Sequence, residues 1–359
     1  MSSGEALSGT SSRRSFLAGA GAAALGVGMF ADVPLASARQ KLSKGDEALL
    51  RFPAALETLE ADFWQQYNEL GGIQDSEVPG GSGSELYIKA LEELDEDMPQ
   101  YIHDNTEDEF THFTFLNAYL ESRGREAVDL SEFATLPSSK ATGARQIGRL
   151  TNLMELTVDT SWWTRYRSHT KNPDLGDTFA QAVPDLAEGE HPAIPRSDKD
   201  LKPKNHIQAI ANTAGFHFAT IEQGGTSLYP ALAQRTNDAE ALRVVLSIGP
   251  TEAMHFQTWQ DKAGNAPAIT DPSTGLEFPN LKESSDEELK ANLIMPEPCP
   301  FLRRSLPIVS IVRPTNTEGI AMGVVEFLSA MGLFKGQSKG FFEALKQLAS
   351  EADAAKRHG

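Results

Sequence analysis

Two short motifs pair a carboxylate with an imidazole at a three-residue step: Glu109-Phe110-Thr111-His112 and Glu252-Ala253-Met254-His255. On a helix that step puts both side chains on one face, a turn apart. A carboxylate and an imidazole so placed reach one metal ion together, and the carboxylate keeps an oxygen for a second ion. One such pair arises easily by chance, so the other helical segments decide. Glu222 stands in an apolar run between Phe216, Phe218 and Ile221 on one side and Leu228 and Tyr229 on the other. Glu57 and Glu60 both interrupt a Leu/Phe stripe. The order is therefore Glu, Glu-x-x-His, Glu, Glu-x-x-His, the ligand pattern of two metal ions bridged by carboxylates inside a four-helix bundle. The candidate ligands are Glu57, Glu60, Glu109, His112, Glu222, Glu252 and His255, with Glu57 and Glu60 competing for one place. The position of Glu60 near the middle of the stripe favours it. An aromatic two turns later (Trp64 after Glu57, Tyr67 after Glu60) does not separate the two. Imidazole and carboxylate donors suit Fe or Mn without choosing between them.

Such ligands need long helices to carry them, and periodicity supplies four. Leu49, Phe52, Leu56, Leu59, Phe63, Tyr67 and Leu70 recur every three or four residues and predict a helix from about Asp46 to Leu70, stopped by Gly71-Gly72. A second is expected from Ser84, broken near Met98-Pro99 and resumed through Tyr101 to Arg123. A third spans about Asn205 to Gln234, and a fourth Asp238 to Ala263 with a kink at Gly249-Pro250. Between them, residues 125–204 read as an insertion: an accessory helix over Ala141 to Ser168, then a Pro/Gly/Asp-rich loop. Ala266 to Pro314 is a Pro-rich excursion, and two short helices, Gly319–Leu333 and Lys339–Lys356, close the chain. The expected fold class is all-α, a four-helix bundle with long loop insertions and short C-terminal helices.

Among the remaining histidines, His217 is expected in the core or behind a ligand. His103 is expected exposed, His206 capping or facing solvent, and His169, His191 and His358 at the surface. Glu107-Asp108 reads as a solvated face, and Gln223 and Gln257 as residues that could support ligand carboxylates. Catalytic residues beyond the ligands are not assigned.

The N-terminus carries a separate signal. Ser12-Arg13-Arg14-Ser15-Phe16-Leu17 opens a Gly/Ala-rich apolar run to Phe30, and Ala36-Ser37-Ala38 supplies a small-x-small cleavage site. Residues 1–38 are thus expected to be a twin-arginine export signal. The mature chain would begin at Arg39 and act in the periplasm or outside the cell, with no stable membrane anchor. The mature part divides into a four-helix domain over 39–263 and a C-terminal region over 264–359. The 359 residues include 50 acidic and 32 basic ones, a formal net charge of −18. That balance argues against nucleic acid and anionic membranes as partners and suits cations. Cys299 is the only cysteine, so no intramolecular disulfide forms. Phosphate loops, dinucleotide fingerprints and Gly-x-Ser-x-Gly are absent.

Leu56-Glu57-Thr58-Leu59-Glu60-Ala61-Asp62-Phe63-Trp64, Glu109 to His112, Ile221-Glu222-Gln223-Gly224-Gly225 and Ser247 to His255 resemble the ferritin-like domain family, over roughly Asp46 to Ala263. The subgroup they look most like holds desiccation-related and fungal stress-response proteins. The resemblance implies a di-metal centre in which Glu57 is the helix-one ligand, completed by Glu109, His112, Glu222, Glu252 and His255. Trp64 stands where the family usually has Tyr, and the insertion would obstruct a closed shell of subunits, leaving homo-oligomers open. The implied activity is redox chemistry towards O2, peroxide or Fe2+ in stress protection, as a ferroxidase or a peroxide-consuming oxidoreductase. The alternative is a non-enzymatic stress scaffold or metal-sequestering protein.

Overall fold

The computed structural model describes residues 41–293, 295–313 and 319–357. The twin-arginine motif and its cleavage site, together with His358, lie outside them.

Four long helices form the bundle: α1 (Lys44–Gly71), α3 (Met98–Ser122), α5 (Lys204–Ala233) and α6 (Ala239–Ala263). A short α2 (Glu85–Glu92) precedes α3, with Pro99 in the first turn of α3, where the missing N–H goes unused. Side-chain caps mark two of these starts. The Ser43 hydroxyl accepts the Asp46 N–H at the start of α1, and Asp238 accepts the N–H groups of Glu240 and Ala241 at the start of α6. Helix α6 runs on through Gly249-Pro250. Gly249 is needed there for closeness: a Cβ would lie 2.5 Å from Tyr229 Cβ on α5. The bundle is two helical hairpins, α1 packed on α3 and α5 packed on α6. That pairing repeats the Glu, Glu-x-x-His order of the sequence.

One slab of aromatic side chains fills the bundle beside the carboxylates. Trp64 stacks on Phe218 and Trp259, with ring centroids 4.7 and 5.2 Å apart. The Tyr67 hydroxyl meets His217 Nδ1 at 2.9 Å, and burial pushes the His217 pKa down to about 3, so it is a neutral core residue.

The insertion departs from expectation. Ala141 to Thr160 is not helical; only α4 (Ser161–Arg167) is. The preceding stretch runs extended, bridging Leu136 to Arg149 and Leu156 to His191, and its N–H groups at Asn152 and Thr157 bond Leu333 and Met331 carbonyls. Its leucines are buried by docking on other segments, so their spacing mimics a helix without requiring one. The C-terminal region holds a two-residue hairpin pair, β1 (Ile269–Thr270) and β2 (Glu277–Phe278), antiparallel with Ile269 opposite Phe278. Then come α7 (Ile320–Ala330), packed on α5, and α8 (Lys339–Ala354), packed on α1 and α7.

Two histidine expectations fail. His103 is buried, with Nε2 3.0 Å from Asp75 Oδ1 in the loop after α1. His206 is buried between Asp271 and Asp200, its Nδ1 2.9 Å from an Asp271 oxygen. Both are recruited by loop acids distant in sequence, which helical periodicity does not reveal. No described helix is long and apolar enough to cross a membrane.

Candidate metal centre

At mid-height of the bundle the four helices each turn a carboxylate inward. Glu57, Glu109, Glu222 and Glu252 are all buried, in a protein interior where an unbalanced carboxylate is costly. Their donor atoms fall into two overlapping groups: Glu57, Glu109, His112 and Glu252, and Glu109, Glu222, Glu252 and His255. Within each group the ligand atoms lie within 4.8 Å of one another. Glu109 and Glu252, the carboxylates of the two Glu-x-x-His motifs, belong to both. The His112 and His255 rings face the groups side by side, with centroids 6.2 Å apart.

Each imidazole turns Nδ1 to the carboxylates. His112 Nδ1 stands 3.2 Å from Glu57 Oε2, 3.2 Å from Glu109 Oε2 and 3.4 Å from Glu252 Oε1. His255 Nδ1 stands 3.2 Å from Glu222 Oε2 and 3.3 Å from Glu109 Oε1. The two oxygens of Glu109 thus serve different histidines, the geometry of a bridge. The outer nitrogens are held differently. His255 Nε2 is 2.9 Å from Asp108 Oδ2. His112 Nε2 is 3.2 Å from Thr251 Oγ1, whose own proton goes to the Ile248 carbonyl, so Nε2–H donates to it. A fixed outer proton leaves the inner nitrogen for a metal.

Donors from the bundle aim the outer carboxylates. Tyr229 on α5 donates its hydroxyl to Glu57 on α1, and Trp64 on α1 donates its indole N–H to Glu222 on α5 at 3.1 Å. The aromatic two turns after each of these glutamates therefore serves the opposite one. Trp259 donates to Asn105 Oδ1 at 2.6 Å. An indole N–H can only donate, so the Asn105 amide must point its NH2 at Glu109 and Glu222, 2.8 and 3.1 Å away. Glu252 is the exception: neither carboxylate oxygen has a hydrogen-bond partner, although both are buried. Helix α5 comes so close that a Cβ on Gly225 would lie 2.4 Å from Glu252 Oε2.

The electrostatics express the crowding. Burial, then the Glu109 and Glu57 carboxylates, push Glu252 well above the usual range, and burial with Glu57 raises Glu109 to about 7. Burial opposes charge on His112, but the Glu57 carboxylate outweighs it and lifts the imidazole to about 12. His255 rises in the same way against burial, through Glu222 first. Burial also acts to raise Glu57, yet His112 and the Tyr229 hydroxyl leave it below its ordinary value. Protons on the imidazoles thus stand in for positive charge that the carboxylates demand.

Glu60 joins neither group. It is half-buried on the side facing α7 and lines a cavity of about 30 Å³ with Glu57, Gly224, Val324 and Phe327. Gln223 bonds Ser227 rather than a ligand carboxylate. Asn105, Asp108 and Thr251 were not read from the sequence as parts of this centre. Asp108 had a weak signal, sitting beside Glu109 on the same helix. Asn105 had one too, a turn before Glu109. Thr251 precedes Glu252 and left no signal.

The donor set fits a metal: buried carboxylates, imidazoles with fixed outer protons, and a carboxylate common to both groups whose two oxygens have no hydrogen-bond partner. A family model described as a ferritin-like domain matches residues 45–265. Comparison with curated proteins and with solved structures gave no match. The matched span covers more than half of the chain and all four bundle helices, and the chain belongs to the ferritin-like domain family.

Proposed function

We propose that the centre binds two metal ions, iron or manganese, bridged by Glu109 and Glu252. Glu57 and His112 complete one site, and Glu222 and His255 the other. The observation that carries this reading is the pair of orphaned oxygens on buried Glu252, at the one position shared by both donor groups besides Glu109. Four carboxylates at neutral imidazoles carry the charge that two divalent cations balance. Held by Glu57, Glu109, His112, Glu222, Glu252 and His255, such ions would supply redox chemistry towards dioxygen or peroxide. The chain's part is positional. Trp64, Tyr229 and Asn105 fix the carboxylate oxygens, Asp108 and Thr251 hold the outer imidazole protons, and the Trp64–Phe218–Trp259 stack keeps water from one side.

We read the protein as an exported, redox-active member of the family that acts on O2, peroxide or Fe2+ in stress protection. Export rests on the paired Arg13-Arg14 and the small-residue cleavage site. The test is turnover by the metal-loaded protein. Consumption of many equivalents of peroxide or Fe2+ per chain supports the enzymatic reading; uptake that stops once the centre is filled replaces it with sequestration.

A further inference from the structure

Arg165 on α4 is a buried cation with no carboxylate in hydrogen-bonding contact among the described residues. It is 4% exposed, and its Nε and Nη1 have no hydrogen-bond partner. Its neighbours are better satisfied, each keeping one unpartnered nitrogen, Arg167 Nη2 and Arg313 Nε. Arg167 lies 3.6 Å over the Trp163 ring and donates to the Trp163 and Lys290 carbonyls. Arg313 donates to the Arg165, Ser168 and Glu297 carbonyls. Asp159 acts on Arg165 through space, but one of its oxygens is already taken by the Ser161 N–H and the Gln181 amide, at 2.9 and 2.8 Å. Burying an unpaired guanidinium costs several kcal/mol, so a fold that keeps one there has another partner for it.

The space for that partner is present. Arg165 lines a cavity of about 230 Å³ between α4, α5 and α7, with Trp162, Ile320, Val324 and Phe327 on its apolar side, Asp159, Thr220, Gln223 and Ser227 as its polar groups, and Gly224 also in its lining. Gly224, Val324 and Phe327 also line the smaller cavity that reaches Glu60 and Glu57, so the two spaces are neighbours with a shared wall beneath α7. A Cβ on Gly224 would meet nothing within 4 Å: the helix leaves room there. A cation among polar groups on one side and an apolar side beneath α7 suit an amphipathic occupant.

We propose that this cavity binds a small organic acid, its carboxylate on Arg165 and its apolar body running across Gly224 towards the metal centre. A space below the roughly 300 Å³ of ordinary ligand pockets sets the size. A planar guanidinium takes a carboxylate bidentately, which sets the headgroup. The apolar side disfavours a bare inorganic anion. That the acid lies against a metal site rests on the reading of the carboxylate cluster given above; its binding at Arg165 does not.

The experiment is calorimetric titration of the full chain with octanoate and, as its uncharged counterpart, octan-1-ol. Octanoate binds, and octanol binds at least about tenfold more weakly. Arg165→Met binds octanoate about 30-fold or more weakly, yet melts no lower than the parent, because an unpaired buried charge has been removed. Gly224→Leu, which fills the cavity but leaves Arg165 in place, also loses octanoate. Equal binding of octanol, undiminished binding by Arg165→Met, or an Arg165→Met chain that fails to fold overturns the proposal. Metal content of the same samples reports separately on the centre. A chain that keeps its metals and ignores octanoate refutes the acid site alone; one that binds octanoate without metals refutes the metal reading alone.

Discussion

The centre is symmetric in its ligands and asymmetric in what stands behind them. His255 leans on a carboxylate, Asp108, where His112 leans on a hydroxyl, Thr251. An anion behind an imidazole raises its basicity as a ligand, and losing such a partner weakens metal affinity about 10–100-fold. Asp108→Asn is therefore expected to weaken one of two binding steps in a competition titration with a chelator and leave the other unchanged. Protonation gives a second test. Groups whose folded pKa is raised, Glu109 to about 7 and His112 to about 12, stabilise the metal-free fold fully only below their unfolded values of 4.5 and 6.5. Their contribution is lost as pH rises through the folded values. Glu57 and His217, with lowered pKa values, run the other way, Glu57 only below 4.5 and His217 only up to its unfolded value of 6.5, against several raised groups. The melting temperature of the metal-free chain should fall between pH 5 and 9, and bound metal should remove that fall. A metal-free melting temperature that rises over the same range would contradict the charge balance described. At this scale the Glu-x-x-His spacing made the two carboxylates common to both donor groups legible. That Glu57 rather than Glu60 joins the cluster depends on which side of α1 meets α3, and spacing along one helix does not hold that information.

Helices bring these residues within reach because particular positions let them approach. Gly225 is the tightest. Ala there gains helix propensity of about 1 kcal/mol, but its Cβ would occupy the place of Glu252 Oε2. Gly225→Ala should keep or raise the melting temperature of the metal-free chain while lowering metal occupancy, an opposition that elemental analysis beside a thermal melt detects. The far end of α1 is fixed by the Glu69–Arg149 pair, with both side chains 1% exposed. Glu69→Ala strands a buried guanidinium and should cost about 3–5 kcal/mol in denaturant unfolding, loosening the insertion over 125–204. The long helices were legible from their apolar periodicity, with side-chain caps marking the starts of α1 and α6. The stretch over Ala141 to Thr160 was not, since its leucines are buried by segments remote in the chain, such as the Leu333 corner.

The whole molecule closes through its C-terminal helices. Asp353 on α8 accepts the Ala321 and Met322 N–H groups at 3.1 and 2.9 Å, capping α7 from another helix, and receives Arg235 from the turn after α5. Asp353→Ala should cost about 1–2 kcal/mol and, by freeing α7, change access to the cavities beneath it. Urea unfolding together with octanoate titration measures both. The sequence marked α7 and α8 as helices but carried no sign that one caps the other, because a cap supplied across the fold has no local spacing. The bundle between Lys44 and Ala263 thus serves the centre, and the C-terminal region encloses its α1–α5 side. Its central claim is a pair of ions shared by Glu109 and Glu252. The direct test is metal content per chain by elemental mass spectrometry, after anaerobic loading with Fe2+ or Mn2+, for the parent and for Glu252→Ala. The account predicts about two ions for the parent and a near-complete loss of both in Glu252→Ala, since that carboxylate belongs to both sites. A parent chain that holds no metal, or a Glu252→Ala chain that keeps both ions, would contradict it.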